Sequence, residues 1–338
     1  MAEVTTNQPP PSRERPRVAV LTSESLGAPG NAAALEELAE VVYADAAGLA
    51  EALSGAQVLL TWDFFSPALA EAWPAADSLE WIHVGAAGVD SLLFDGLRDS
   101  EVVVTNARGV FDAPIAEFVL ASVLAHDKRL HESKALQREH VWRHRELTRT
   151  EGSRALVVGT GGIGRACARA LRALGVRVTG AGRTARDDDP DFGRVVSTDE
   201  LAAHLGDVDH VVLVAPLTDR TRGLIGAAEL AAMKPSAHLV NVGRGALVDE
   251  MALLDALRDG AIAAASLDVF ETEPLPEDHP FWDLEQVRIS AHMCGDVVGW
   301  RDALGEQFEH DLRRWVAGEQ LSNVVDKATG YVPSGSPS

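Results

Sequence analysis

Three polar residues with complementary chemistry, Arg244, Glu273 and His292, each come shortly after a short apolar run. The length of these runs and their β-branched residues predict buried strands, which we place at residues 238–242, 264–269 and 287–290. The carboxyl ends of the strands in a doubly wound parallel sheet open onto one crevice. We therefore expect these three side chains to meet at one edge of a sheet.

This set of side chains suits the reduction of a 2-keto acid. An imidazole titrates near neutral pH, so His292 is the candidate acid and base for the carbonyl oxygen. Glu273 is expected to bond the far ring nitrogen, which fixes the tautomer and stabilises the imidazolium. Arg244 offers a planar, permanently charged donor pair to a carboxylate. Each residue alone has an ordinary structural interpretation, since the chain contains 11 histidines, so the prediction depends on the joint arrangement.

A glycine-rich turn precedes these residues in the chain and has the spacing G-x-G-x-x-G. It follows a predicted strand at 154–159 and leads into a predicted helix at 165–174. In such a turn the backbone approaches a pyrophosphate closely, and the helix N-terminus offers free N–H groups to the anion. An ordinary turn is the alternative, but the strand–turn–helix context favours a dinucleotide site. The predicted cofactor contacts in this turn are Gly159, Gly161, Gly162, Ile163 and Gly164.

The residues after the next predicted strand bear on the choice of cofactor. NAD-specific sites usually have an acidic residue at this strand end, where it binds the ribose hydroxyls. Here Gly182 stands at that position and Arg183 and Thr184 follow. A guanidinium pairs with a 2′-phosphate, so the sequence favours NADP over NAD, with Arg183 and Thr184 as contacts. The acidic run at 187–189 argues for NAD, and a solvated surface role for Arg183 is the alternative.

The elements that must position these residues alternate between strand and helix. In the first part of the chain we predict strands at 18–21, 58–61, 81–84 and 102–105, with helical composition at 32–53. In the second part we predict a helix at 115–124 and a charged helical segment through Arg145. We also predict strands at 154–159, 176–179 and 210–214, in addition to the three strands at 238–242, 264–269 and 287–290. A last helix is predicted at about 298–317. This alternation predicts an α/β fold with parallel sheets.

We predict two doubly wound domains: a Rossmann cofactor domain at 109–298, and a flavodoxin-like substrate domain split between 17–108 and 299–332. The crevice between two such domains is the expected ligand site. Residues 1–16 and 333–338 are rich in Pro, Ser and other polar residues and are predicted to be disordered tails.

Composition excludes several classes of function. The formal net charge is −21, from 51 acidic and 30 basic residues, and such a surface repels nucleic acid and anionic lipid. The sequence shows no signal peptide or membrane span. Only two cysteines occur, and no Cys/His set has metal-ligand spacing, so we expect no disulfide framework and no metal site. A cytoplasmic protein is predicted.

These residues resemble the D-isomer-specific 2-hydroxyacid dehydrogenase family over nearly the whole chain after about residue 17. The motifs that carry the resemblance are 159–164 (GTGGIG), 241–249 (NVGRGALVD), 267–276 (LDVFETEPLP) and 290–292 (SAH). The resemblance implies that Arg244, Glu273 and His292 are the catalytic set. It selects Glu273, directly before Pro274, over the neighbouring acid Glu271.

The resemblance also implies roles that the residues alone do not predict. Asp268 would contact the nicotinamide carboxamide, and Pro216 and Thr221 would contact the cofactor ribose and pyrophosphate. Ala87 and Gly88 lie in the segment 85–90 (GAAGVD), which is similar to the family's loop for the substrate carboxylate. The family further implies D-stereochemistry of the hydroxy acid and a homodimer.

The sequence departs from the family beyond Gly182, and other interpretations remain open. Cys294 beside His292 suggests a Cys–His nucleophile, but no acyl-transfer context accompanies it. Trp142 and residues 62–64 are candidates to line a substrate pocket or simply to pack. Two other functions fit the same fold: a protein that senses NAD(P)H and acts like a corepressor, and an enzyme that oxidises phosphite or formate.

Overall fold

A computed structural model of the protein describes residues 15–333; the tail predictions for 1–14 and 334–338 lie outside the described residues. The chain divides into two compact units. The first unit contains the chain up to Val110 and again from Val298, and the second unit is Phe111–Val297.

The first unit is built on a five-stranded parallel sheet with the order β2-β1-β3-β4-β5. This is a doubly wound order with one reversal, between β1 and β3. The strands are β1 (Arg17–Leu21), β2 (Glu40–Ala44), β3 (Val58–Thr61), β4 (Trp81–Val84) and β5 (Val103–Asn106). The helices are α1 (Ala32–Leu38), α2 (Leu49–Leu53), α3 (Ala68–Ala72), α4 (Asp95–Arg98) and α10 (Trp300–Val316).

The predicted helical stretch at 32–53 is wrong, because the strand β2 interrupts it between α1 and α2. The three residues Val41, Val42 and Tyr43 favour a pleated strand and pair beside β1 at the sheet edge. They are only half-buried, so they lack the continuous apolar signal of a central strand.

After α10 the chain returns to the first sheet. The Val325 N–H donates to the Val104 carbonyl at 2.8 Å, and Thr105 and Val324 form an antiparallel bridge. The segment predicted to return to the first domain therefore pairs with β5.

The second unit contains an eight-stranded sheet with the order β13-β12-β11-β10-β6-β7-β9-β8. All neighbours are parallel except β8, which runs antiparallel to β9 at one edge. The strands are β6 (Arg154–Val158), β7 (Arg177–Gly182), β8 (Arg186–Asp189), β9 (Gly193–Ser197), β10 (His210–Leu213), β11 (His238–Asn241), β12 (Ala264–Leu267) and β13 (Val287–Ile289). The helices are α5 (Asp112–Asp127), α6 (Leu130–Arg138), α7 (Gly162–Ala173), α8 (Ala227–Ala232) and α9 (Glu250–Arg258). The α/β fold class with parallel sheets is therefore confirmed.

Two element predictions in this unit need correction. The helical segment predicted through Arg145 ends at Arg138, and His140 takes a left-handed backbone (φ +57°) of the kind that terminates helices. The strands β8 and β9 were not predicted, because β8 is rich in Arg and Asp, residues typical of loops. No helix among residues 15–333 combines the length and apolar character needed to cross a bilayer.

Candidate functional site

The three predicted catalytic residues follow three adjacent strands. Arg244 comes after β11, Glu273 after β12 and His292 after β13, and these strands lie side by side in parallel. Their carboxyl ends therefore share one edge of the second sheet, as the strand pattern predicts.

His292 and Glu273 form a direct hydrogen-bonded pair. The Nδ1 atom of His292 lies 2.7 Å from Oε2 of Glu273, and the two side chains are 30% and 31% exposed. The other carboxylate oxygen, Oε1, accepts the Phe270 N–H at 2.9 Å. Because each oxygen has a separate partner, the carboxylate is held with one oxygen directed at the imidazole.

The pKa of Glu273 is lowered by its surroundings. Burial acts in the opposite direction, but the hydrogen bonds from His292 and Phe270 outweigh it. The charges of His292 and Arg244 lower the pKa further. Glu273 is thus anionic at neutral pH, which favours a proton on Nδ1 and leaves Nε2 to exchange a proton with a substrate.

Arg244 is positioned by the loop after β11. Its carbonyl accepts the Asn241 side-chain amide at 2.9 Å, and the Asn241 Oδ1 accepts the Gly243 N–H at 3.1 Å. The next residue, Gly245, packs so closely on the backbone of Phe270 that a Cβ atom there would overlap it. The loops that carry Arg244 and Glu273 are therefore packed backbone to backbone.

The backbone of His292 is in the left-handed region, with φ +50°, where non-glycine residues are uncommon. Its N–H donates to the Asp268 carbonyl at 2.8 Å. The side chain of Asp268 accepts the N–H groups of Met293 and Cys294 at 3.1 and 2.9 Å. The peptide groups after the imidazole are thus tied to the end of β12.

Two alternatives named from the sequence are not supported by the geometry. The pKa of the Glu271 carboxyl is raised by burial and by the nearby Glu250, and the acid beside His292 is Glu273. Cys294 is buried, and burial together with the charge of Asp268 raises the pKa of its thiol. A thiol that stays protonated is a poor nucleophile.

The glycine turn between β6 and α7 fits a dinucleotide. Gly159 has φ +113°, and a Cβ atom there would lie 2.7 Å from the Ala215 nitrogen, while Gly164 packs directly on the Gly159 carbonyl. A Cβ at Gly161 would meet nothing within 4 Å, so that side of the turn is open to a ligand. The helix α7 begins at Gly162 with no cap from the side chain of its own N-cap residue and no acidic residue in its first turn, and the Asp112 carboxylate from the start of α5 lies beside Gly162.

The other predicted contact residues lie at loop positions. Arg183 and Thr184 are exposed directly after β7. Pro216 and Thr221 lie in the loop after β10, where the Thr221 hydroxyl donates to the Pro216 carbonyl at 2.7 Å. Ile163 is half-buried in the first turn of α7.

Ala87 and Gly88 lie in the first unit, in the loop after β4. The Ala87 carbonyl accepts the side-chain amide of Asn106, and the Ala86 carbonyl accepts the Ala107 N–H at 3.0 Å. Both bonds come from the end of β5 and fix the path of this loop.

Comparison with known proteins identifies the family. Residues 120–294, more than half of the chain, match the model of the D-isomer specific 2-hydroxyacid dehydrogenase NAD-binding domain. The chain belongs to this family. The resemblance predicted from the motifs is therefore confirmed, and the protein is an oxidoreductase of the 2-hydroxyacid dehydrogenase type.

Individual relatives differ in their reactions. The chain is 34% identical to the glyoxylate reductase of Korarchaeum cryptofilum over 77% of this chain and 80% of that protein. It is 33% identical to the D-3-phosphoglycerate dehydrogenase of Mycobacterium tuberculosis over 93% of this chain, but spans only 60% of that protein's length. The fold also matches a solved structure, the NADPH-dependent glyoxylate/hydroxypyruvate reductase of Sinorhizobium meliloti in complex with NADP and sulfate. The TM-score is 0.80 and the sequence identity is 31%, and the match covers 94% of this chain and all of that chain.

Some residues that shape this 2-hydroxyacid dehydrogenase site were not predicted from the sequence. Asn241 holds the Arg244 turn, and its position at the end of β11 was a usable signal, because amide side chains often bond nearby backbone. The Phe270 N–H that fixes Glu273 and the two N–H groups that bind Asp268 are backbone donors and leave no signal in the sequence. Among residues 15–333 no group of three His, Cys, Asp or Glu side chains is arranged to hold a metal ion.

Proposed function

We propose that the protein reduces a small 2-keto acid to the D-2-hydroxy acid, reversibly, with NADPH as its preferred cofactor. The observation that supports this most directly is the 2.7 Å bond between His292 and Glu273, with the charge of Arg244 acting on the same carboxylate. This combination supplies an acid, a group that stabilises the charged form of the acid, and a cation for the substrate.

In the reduction, His292 donates the proton from Nε2 to the carbonyl oxygen as it becomes a hydroxyl. Glu273 keeps the imidazolium oriented through Nδ1 and stabilises its charge until the proton leaves. Arg244 binds the substrate carboxylate and polarises the carbonyl. In the reverse direction, His292 accepts the hydroxyl proton.

A bound nicotinamide cofactor supplies or accepts the hydride. Its pyrophosphate is proposed to lie against the turn from Gly159 to Gly164, on the side of Gly161, where the space next to the backbone is open. Thr221 and Pro216, joined by their own hydrogen bond, are proposed to contact the rest of the dinucleotide.

The preference for NADPH is proposed from the end of β7. Gly182 supplies no carboxylate there, and Arg183 and Thr184 follow it on the surface. The nearby acid Asp189 does not oppose a phosphate, because its carboxylate is bound bidentately by Arg165 at 3.0 Å and by Arg186 at 2.9 Å. Burial of Asp189 is outweighed by these bonds, which hold its pKa well below the usual range.

On the substrate side, we assign the backbone N–H groups of Ala87 and Gly88 to the substrate carboxylate. The bonds from Asn106 and Ala107 fix this loop, and a rigid loop loses less entropy when it binds a ligand.

The test is NADPH oxidation with a panel of 2-keto acids, with NADH in parallel and His292→Ala as the control. Glyoxylate, hydroxypyruvate and bulkier 2-keto acids are compared with formate and phosphite in the oxidative direction. Turnover that prefers NADPH and is lost in His292→Ala supports the proposal. Cofactor binding without turnover of any 2-keto acid would overturn it, and turnover of phosphite or formate alone would replace the substrate class.

A homodimer is proposed from the exposed apolar side chains of the segment 130–147. Trp142 is fully exposed, and Leu130, Val141 and Leu147 are also exposed. Removing such apolar side chains from water favours association of two chains. Light scattering should give twice the chain mass for the native protein and the chain mass for Trp142→Asp. A monomeric native protein would contradict this assignment.

A further inference from the structure

The carboxylate of Asp268 is enclosed at the end of β12. The residue has 0% relative exposure. Its Oδ1 accepts the Met293 N–H at 3.1 Å and its Oδ2 accepts the Cys294 N–H at 2.9 Å. Both carboxylate oxygens are thus bound within the chain.

The backbone of Asp268 makes two further bonds, one toward each neighbouring strand of β12. Its N–H donates to the Asn241 carbonyl at 3.0 Å, and its carbonyl accepts the His292 N–H at 2.8 Å. Asp268 therefore links the end of β11, the end of β12 and the loop after β13, which are the three sites that carry Arg244, Glu273 and His292.

The loop after β13 needs such an anchor. The left-handed backbone of His292 is unfavourable for a residue with a Cβ atom and persists only where its surroundings enforce it. The His292 N–H donates to the backbone carbonyl of Asp268, and the next two N–H groups, of Met293 and Cys294, donate to its carboxylate. The buried carboxylate also requires these donors, since an unpaired buried charge is strongly unfavourable.

We propose that Asp268 is a positioning residue for His292: its carboxylate holds the loop 292–294 in the conformation that brings the imidazole Nδ1 within bonding distance of Glu273. This inference rests on the proposed function for its kinetic consequence, but the positioning itself is a property of the protein without substrate. It is separate from the family expectation that this aspartate contacts the nicotinamide carboxamide, because here the carboxylate acts on two backbone N–H groups of its own chain, and each of its oxygens can accept a second hydrogen bond.

The two roles make opposite predictions for Asp268→Asn. The asparagine keeps the shape of the side chain but brings an NH2 group against one of the two N–H donors, so the loop loses its anchor. A displacement of about 1 Å in a reacting group costs on the order of 100-fold in rate, so we expect kcat for the best 2-keto acid to fall by about that factor. The dissociation constant for NADPH, measured by its fluorescence, should stay within about threefold, because the glycine turn is not touched. A large increase in that constant with little loss of kcat would overturn the proposal in favour of direct cofactor contact.

A second readout needs neither substrate nor cofactor. In histidine-labelled protein, the ring Nδ1–H signal of His292, assigned by its loss in His292→Gln, should show the strong hydrogen bond to Glu273. We expect Asp268→Asn to lose this shifted signal while circular dichroism and the melting temperature show a folded protein. An unchanged ring signal would overturn the proposal even if the enzyme had lost activity. If the native protein turns over no 2-keto acid, the proposed function fails while this measurement still decides the role of Asp268.

Two further variants complete the design. Asp278→Asn makes the same change of side chain at an exposed position of the loop after β12, so both kcat and the ring signal should match the native protein. If Asp268→Asn does not fold, Asp268→Ser, which can accept only one of the two N–H groups, should give a folded protein with a weakened ring signal. A native ring signal in Asp268→Ser would contradict the proposal.

Discussion

Replacing Glu273 by Gln keeps the size of the side chain and removes its charge. The Phe270 N–H, now 2.9 Å from Oε1, must keep an oxygen acceptor, so the new NH2 group is turned toward Nδ1 of His292. A neutral imidazole can accept from that NH2 group, but an imidazolium presents an N–H to it. The substitution therefore disfavours the protonated form that donates the proton in keto acid reduction.

The size of the effect follows from the bond that is lost. A hydrogen bond to a charged group contributes about 1.5–3 kcal/mol, or roughly 10- to 150-fold in rate. The histidine and glutamate side chains are 30% and 31% exposed, and solvent screening places the effect in the lower part of that range, at about 10- to 50-fold near neutral pH.

The assay is kcat/KM for keto acid reduction from pH 5 to 9, together with oxidation of the hydroxy acid. In Glu273→Gln, the loss of reduction should be largest at alkaline pH and should diminish in acid, because the substitution disfavours the protonated imidazole. The matched control is Glu271→Gln, which changes the neighbouring acid and should remain within about twofold of native. An equal loss at every pH would refute the reasoning, because it would show that Glu273 does not act on the proton of His292.

Three other perturbations have defined outcomes. Arg183→Ala should lower kcat/KM for NADPH by about 10-fold and leave NADH unchanged, since only a 2′-phosphate requires the guanidinium; equal losses with both cofactors would argue against the contact. Gly245→Ala should lower the free energy of unfolding in urea by more than about 3 kcal/mol, because its Cβ overlaps the Phe270 backbone. The control Gly161→Ala has open space around the new atom, so its free energy of unfolding should differ from the native value by less than about 0.5 kcal/mol. Burial lowers the pKa of His83 from 6.5 to about 3. As the pH falls below 6.5, the imidazole therefore takes up a proton in the unfolded chain but not in the folded chain. The folded protein loses stability by this route until the pH reaches about 3. Between pH 7.5 and 5.5 the native protein should lose about 1.4 kcal/mol more than His83→Asn, and equal slopes for the two proteins would show that this imidazole titrates normally when folded.

The sequence predicts the central strands of both sheets because their buried runs are continuous, as in 58–61 and 210–213, which are buried at every position. It fails at the edges, where β2 and β8 are half-exposed or charged and where pairing to a neighbour overrides local composition.

For the candidate site, the strand pattern predicts that Arg244, Glu273 and His292 follow strands whose ends share one edge of the sheet, and the family motif selects Glu273 over Glu271. The left-handed backbone of His292 and the enclosure of Asp268 could not be predicted, because both depend on backbone N–H groups that every residue type carries. The sequence shows only that an aspartate is present, and the residue type is the same whether its carboxylate binds a ligand or accepts backbone N–H groups.

The order of strands in the second sheet has a consequence for how this enzyme can change. The position that is proposed to select the cofactor follows β7, whereas the reacting groups follow β11, β12 and β13. With strands roughly 4.8 Å apart, β7 lies about 14 Å from β11 and about 24 Å from β13. Substitutions separated by more than about 10 Å usually have additive effects, so exchange of cofactor preference and tuning of the proton transfer should be independently evolvable, and variants selected for one property can be combined with variants selected for the other.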